Sequence, residues 1–175
     1  MTGNESMTSH TEESDRSIKE PALSGSLEML RILSSKGNSG KDIDSDAADP
    51  ADPFLLNGAS LAYIGDAVYE LMVRSYMLDH GSHMADKLHR RTVELVNAGA
   101  QSDMVRALLP ELTETETAIF KRGRNASTMT AAKHQSVTDY RRATGLEALF
   151  GYLYLNGEYE RLLELFLHGA GMLRI

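Results

Sequence analysis

From Phe54 to the end of the chain, apolar residues recur three and four positions apart, and nowhere do they alternate. That period fits one face of an α-helix and excludes a half-buried strand, so the chain reads as all-α. Leu61, Ile64, Val68, Leu71 and Met72 place one face of a helix over roughly 58–79 in a core. A second helical stretch is expected over 84–108, stopped by Pro110. Thr113 with Glu116 has the spacing of a capping box, predicting a helix from there to about Lys121. Residues 122–135 read as a loop, and two further helices are expected over 136–156 and 158–169.

The first 52 residues differ in kind. They are rich in Ser, Gly, Asp and Glu, and such a segment cannot offset the entropy of ordering, so a disordered acidic tail is expected. One short apolar patch, Leu27, Met29, Leu30, Ile32 and Leu33, has the makings of a helix on a partner. Asp49-Pro50-Ala51-Asp52-Pro53 breaks the chain and marks the boundary of a single folded unit over 53–175.

Charge narrows the function. The net charge of -7 argues against a simple electrostatic nucleic-acid binder, but residues 1–50 carry five basic against ten acidic residues. Within 87–142 the balance reverses, with ten Lys or Arg against six Asp or Glu. A nucleic-acid partner is therefore permitted. The absence of cysteine excludes disulfides, thiolate metal sites and cysteine nucleophiles. No apolar run is long enough for a membrane span and no secretory signal opens the chain, so a cytoplasmic protein is expected.

Two acids stand inside apolar helical stretches: Asp66 in Tyr63-Ile64-Gly65-Asp66-Ala67-Val68-Tyr69-Glu70, and Glu147 in Thr144-Gly145-Leu146-Glu147-Ala148-Leu149-Phe150-Gly151. A carboxylate there loses hydration and needs a partner, a proton or a metal ion. Two of them, from separate helices, could converge on a hard divalent cation. Gly65 suggests close approach by another backbone, because glycine inside a helix costs about 1 kcal/mol relative to alanine. The same glycines would equally serve tight helix packing, with both acids exposed or salt-bridged, and spacing alone does not exclude this. Glu70, one turn after Asp66, is either an outer ligand or a solvated position. His80 and His83 flank a Gly-Ser break and read as loop residues. Arg122, Arg124, Lys133, Arg141 and Arg142 gather around the loop and the start of the Glu147 helix, where they could contact phosphates without reading bases.

In this order and spacing the segments resemble Mini-ribonuclease III, the short bacterial relatives of ribonuclease III, over about 55–170. The carriers are Leu56-Asn57-Gly58, Ala62 to Glu70, Lys121-Arg122-Gly123-Arg124-Asn125-Ala126, and Tyr140-Arg141 through Glu147 to Leu155. The resemblance implies an all-α, homodimeric ribonuclease III endonuclease domain without a separate double-stranded RNA-binding domain. It implies a magnesium-dependent endoribonuclease, with manganese able to substitute, that cuts double-stranded RNA to leave 5′-phosphates. By match to the family motifs, Asp66 and Glu147 are the catalytic, metal-binding acids, and Tyr63 belongs to the dimer interface. The segment from Arg122 to Lys133, with Arg124 and Asn125, matches the loop that engages RNA, and Arg141 lies beside it. The family's usual substrate implies maturation of the 23S precursor ribosomal RNA, with a ribosomal protein as a further candidate partner and no membrane. Full-length ribonuclease III carries further acids where this chain has Ala62 and Thr144, which leaves the metal count open.

Two other readings compete. A non-catalytic ribonuclease III-like dimer that binds structured RNA or ribosomal particles draws support from Ala62 and Thr144. A helical adaptor recruiting partners through its acidic tail predicts no magnesium dependence. A metal phosphohydrolase acting on nucleotides is disfavoured by the lack of a His-Asp pair.

Overall fold

A computed structural model of the chain describes residues 52–80, 84–126 and 136–173, together with the isolated helical positions Glu28 and Ile32. The expected disordered tail and its apolar patch lie almost wholly outside the described residues, as do His83 and Lys133. The described residues form six α-helices and no strand: α1 (Gly58–His80), α2 (Ala85–Val96), α3 (Ala98–Leu108), α4 (Glu114–Ala126), α5 (Val137–Leu155) and α6 (Tyr159–Met172). No helix among them is long and apolar enough to cross a membrane.

Several helix ends are set by local chemistry. Asn57 starts α1, its Oδ1 accepting from the Ser60 amide at 2.9 Å. The capping box at α4 is reciprocal: the Thr113 amide donates to Glu116 Oε2 at 2.8 Å, and the Glu116 amide to Thr113 Oγ1 at 3.2 Å. Gly157, with φ of 74°, turns the chain after α5. Its amide donates to Tyr154 O at 3.1 Å and that of Glu158 to Leu153 O at 2.9 Å, the paired bonds of a Schellman motif.

Three expectations need correction, the first being that His80, expected in a loop, is the last residue of α1. The helix expected over 84–108 is two helices, broken at Asn97. Asn97 caps in both directions: its Oδ1 accepts from the Ala100 amide at 3.0 Å, and its Nδ2 donates to Val93 O at 3.3 Å and Glu94 O at 2.6 Å. The Tyr69 hydroxyl takes Leu95 O at 3.0 Å and Gln101 Nε2 takes Val96 O at 3.2 Å. All four terminal carbonyls of α2 are thus satisfied, and the break is stable. The loop expected from residue 122 begins later, because Arg122 to Ala126 form the last turns of α4.

Helix α5 is the centre. Ala143, Gly145, Leu146, Ala148, Leu149, Phe150, Gly151, Tyr152 and Leu153 are all buried, so the helix is covered around its circumference. It packs most extensively on α1 and then on α4 and α3. Edge-on aromatic contacts link Tyr69 to Phe150 (5.7 Å between centroids) and to Phe166 (6.2 Å), tying α1, α5 and α6 together. Burial of each such ring stabilises the fold by about 1.5–3 kcal/mol. Opposite, Glu116 is 4% exposed and is held by Arg161 of α6, whose Nε and Nη2 donate to it at 2.8 and 3.1 Å.

Candidate metal-binding active site

The crossing of α1 over α5 brings the two acidic motifs together. A Cβ placed on Gly65 would lie 1.7 Å from the carbonyl oxygen of Glu147, and one on Gly151 would lie 2.1 Å from that of Leu61. Neither position admits a side chain, so the two helices meet backbone to backbone. Asp66 follows the first contact and Glu147 forms its other half. The tight packing and the convergence of acids, which the sequence offered as alternatives, are one arrangement.

The surroundings differ between the two carboxylates. Glu147 is half-buried, and its carboxyl is pushed up to about 7, first by burial and then by the charge of Asp66. A hydrogen bond from the Gln101 side chain partly offsets the rise. Asp66 is exposed, yet partial desolvation and then the charge of Glu70 raise its carboxyl above the usual range. Glu70 forms an ion pair with Arg74, whose Nε donates to it at 3.1 Å. Tyr69 is buried, its hydroxyl donates to Leu95 O, and burial with the Glu147 charge keeps its phenol protonated.

Ala62 is buried, and the Thr144 hydroxyl donates back to Tyr140 O at 3.1 Å. Among the described residues no group of three or more Asp, Glu or His is placed to hold a metal, and the acids that act on one site are two, Glu147 and the Asp66 whose charge reaches it. The pair still suits a hard divalent cation: Glu147, whose proton affinity burial and the Asp66 charge raise, and Asp66, raised by desolvation and Glu70, offer oxygen donors whose charge a cation relieves.

The basic residues occupy more varied positions. The Arg122 guanidinium lies 4.9 Å from the centre of the Phe54 ring, and its Nη1 donates to Phe54 O and, at 3.0 Å, to Leu56 O. Arg122 thereby ties the end of α4 to the chain entering α1. Arg124 is exposed, 6.0 Å from the Phe120 ring, with its Nε 3.4 Å from Asn125 Oδ1. Asn125 and Arg141 are also exposed, while Arg142 lies 3.7 Å from Asp139. Phe54, Leu56, Asn57, Arg122 and Asn125 line an open groove of about 570 Å³, whose lining includes neither acid. Tyr63, at 83% exposure, projects from α1 three residues before Asp66.

Sequence reasoning missed Gln101 and Tyr69 as neighbours of Glu147. Both sit at positions that helical periodicity assigns to the core, and the break at Asn97 brings the end of α2 within reach of both side chains. The sole available signal was Gln101 itself, a carboxamide in step with the apolar residues Met104, Val105 and Leu108.

Comparison with known proteins identifies the family. The ribonuclease III domain model matches residues 59–158, which includes both acids. The Mini-ribonuclease 3 of Clostridium tetani is 48% identical over 111 residues, covering 63% of this chain and 74% of its own. That of a Thermoanaerobacter strain is 47% identical over 143 residues, covering 82% of this chain and 90% of its own. Among solved structures, the Fusobacterium nucleatum protein FN1578 superposes with a TM-score of 0.59 at 32% identity, covering 65% of this chain and 90% of that one. The helical architecture, the domain match and these relatives agree, and the chain belongs to the ribonuclease III family as a Mini-ribonuclease 3 endoribonuclease.

Proposed function

We propose that this endoribonuclease cuts double-stranded RNA with Asp66 and Glu147 as its catalytic acids, holding magnesium or, in its place, manganese. The observation that carries the reading is the Gly65–Glu147 backbone contact, which seats two carboxylates of raised proton affinity side by side. A bound magnesium ion supplies an activated water and stabilises charge on the scissile phosphate. Asp66, on the exposed side, is reachable by an RNA backbone, and half-buried Glu147 holds its carboxylate fixed.

Arg124, Asn125 and Arg141 are exposed and suit phosphate contact, and Lys133 joins them by its place in the sequence. Arg122, bonded to two carbonyls, supports this surface from beneath as well as lending charge to it. Such contacts read helix shape rather than sequence. The exposed ring of Tyr63 supports a homodimer formed along α1, whose two sites would cut opposite strands and leave 5′-phosphates. The catalytic unit is residues 53–175, acting in the cytoplasm on precursor 23S ribosomal RNA, with a ribosomal protein as a further candidate partner.

The test is cleavage of long double-stranded RNA in magnesium, with a single-stranded control, by the wild type, Asp66→Asn and Glu147→Gln. Duplex cutting by the wild type, lost in both folded variants, is expected. Duplex binding without cutting by the wild type would replace the enzyme reading with that of a non-catalytic dimer binding structured RNA.

A further inference from the structure

Gln101 is 2% exposed, on the first turns of α3, where its neighbours along the helix face are apolar. A carboxamide brings two N–H donors and an acceptor oxygen into that setting. One donor is used, Nε2 bonding Val96 O at 3.2 Å, and the carboxamide stands beside the Glu147 carboxylate, where it favours the charged form. The acceptor is unused, for Oε1 is buried without a hydrogen-bond partner among the described residues. An unmet buried acceptor costs free energy that an apolar side chain of the same shape would not. A residue that served only to fill the core or to cap Val96 leaves that cost unexplained.

A cation at Asp66 and Glu147 would explain it. Magnesium gives up its waters reluctantly, so a site built on two carboxylates keeps several of them, each an O–H donor. Carboxylates that bind metals are commonly oriented by further hydrogen bonds. We propose that Gln101 is a positioning residue of the metal centre: Nε2 fixes the Glu147 carboxylate, and Oε1 accepts a hydrogen bond from a cation-bound water. This rests on the assignment of Asp66 and Glu147 as cation ligands made above.

Gln101→Met keeps the length of the side chain and removes both polar atoms. Manganese binding to the RNA-free protein, followed by the electron paramagnetic resonance of free Mn2+, gives a readout independent of turnover. The variant is expected to bind Mn2+ about tenfold or more weakly and to lose kcat by a similar factor. KM for duplex RNA should stay at the wild-type value, while loss of the bond to Val96 O lowers the melting temperature in chelator. A lower melting temperature with unchanged Mn2+ affinity and kcat would overturn the proposal, because Gln101 would then be only a cap for Val96. The wild type gives a second reading that needs no variant: the Gln101 side-chain amide resonances should move when Mg2+ is added, and their constancy would also overturn it. Glu147→Gln serves as the control. If that variant binds Mn2+ as the wild type does, the fault lies in the ligand assignment and not in the role of Gln101.

Discussion

Neutralising Glu147 should abolish activity and, in the absence of a divalent cation, make the protein more stable. Its carboxyl is raised from 4.5 to about 7 in the folded chain, first by burial and then by Asp66. At about 1.4 kcal/mol per pH unit, that shift corresponds to about 3 kcal/mol of differential stability. The raised value belongs to the folded state, so between the two values the folded chain holds more proton than the unfolded one. Stability contributed by this group therefore falls as pH rises from 4.5 to about 7 and stays low above that. Glu147→Gln carries no such dependence. In chelator at about pH 8 it should exceed the wild type by up to about 3 kcal/mol, or about 10 °C in melting temperature for a domain of this size. At about pH 5 most of the advantage should be gone. Glutamine at 147 can also donate to Gln101 Oε1, but that gain is independent of pH, so the slope isolates the charge. Urea unfolding across this range measures it. Parallel pH curves for the two proteins would refute the reasoning, whatever their offset. Added Mg2+ should narrow the gap by stabilising the wild type alone.

Three further outcomes are expected. Gly65→Ala drives a methyl group into the Glu147 carbonyl and should cost about 3 kcal/mol, with cleavage falling in the fraction that remains folded; a stable and active variant would contradict the backbone contact. Arg161→Met leaves Glu116 buried without its guanidinium and should cost about 3 kcal/mol near neutral pH. Glu116 is held below its ordinary value despite the opposing effect of burial, so its contribution is present above that value and lost as pH falls through the lowered one. The gap between wild type and Arg161→Met should accordingly close in acid, which chemical denaturation across pH will show. Arg141→Ala should weaken binding to all duplex RNAs alike and reduce the slope of log affinity against log salt by about one, measured by fluorescence anisotropy; an unchanged slope would remove Arg141 from the phosphate contacts.

Much of this architecture is legible in the chain because period and caps are local. The apolar positions from Leu61 to Met72 set α1, and the Thr113–Glu116 box starts α4 where it reads. Gly65 announces a close approach, although only the fold identifies the neighbour as Glu147. What escapes is decided at longer range or by one side chain. Asn97 breaks a helix without a glycine or proline at the break itself, since a single asparagine bonds carbonyls behind it and an amide ahead. The buried Glu116 looks like a solvated helix start until Arg161, 45 residues away, arrives to pair with it. Arg122 resembles a loop cation, but carbonyls 66 and 68 residues earlier in the chain take its protons.

The glycine crossing has a consequence for how such a chain changes over generations. Each of the two acidic helices supplies a glycine to the other's carbonyl: Gly65 to Glu147, and Gly151 to Leu61. Neither segment can acquire a larger residue at its contact and leave the other as it was, because no rotamer change relieves a clash with main chain. A substitution at one crossing point calls for displacement of the partner helix, and with it the carboxylate that helix carries. Although Asp66 and Glu147 lie 81 positions apart in the chain, the place of one carboxylate is therefore tied to that of the other, and a change tolerated in one segment depends on what the other segment presents.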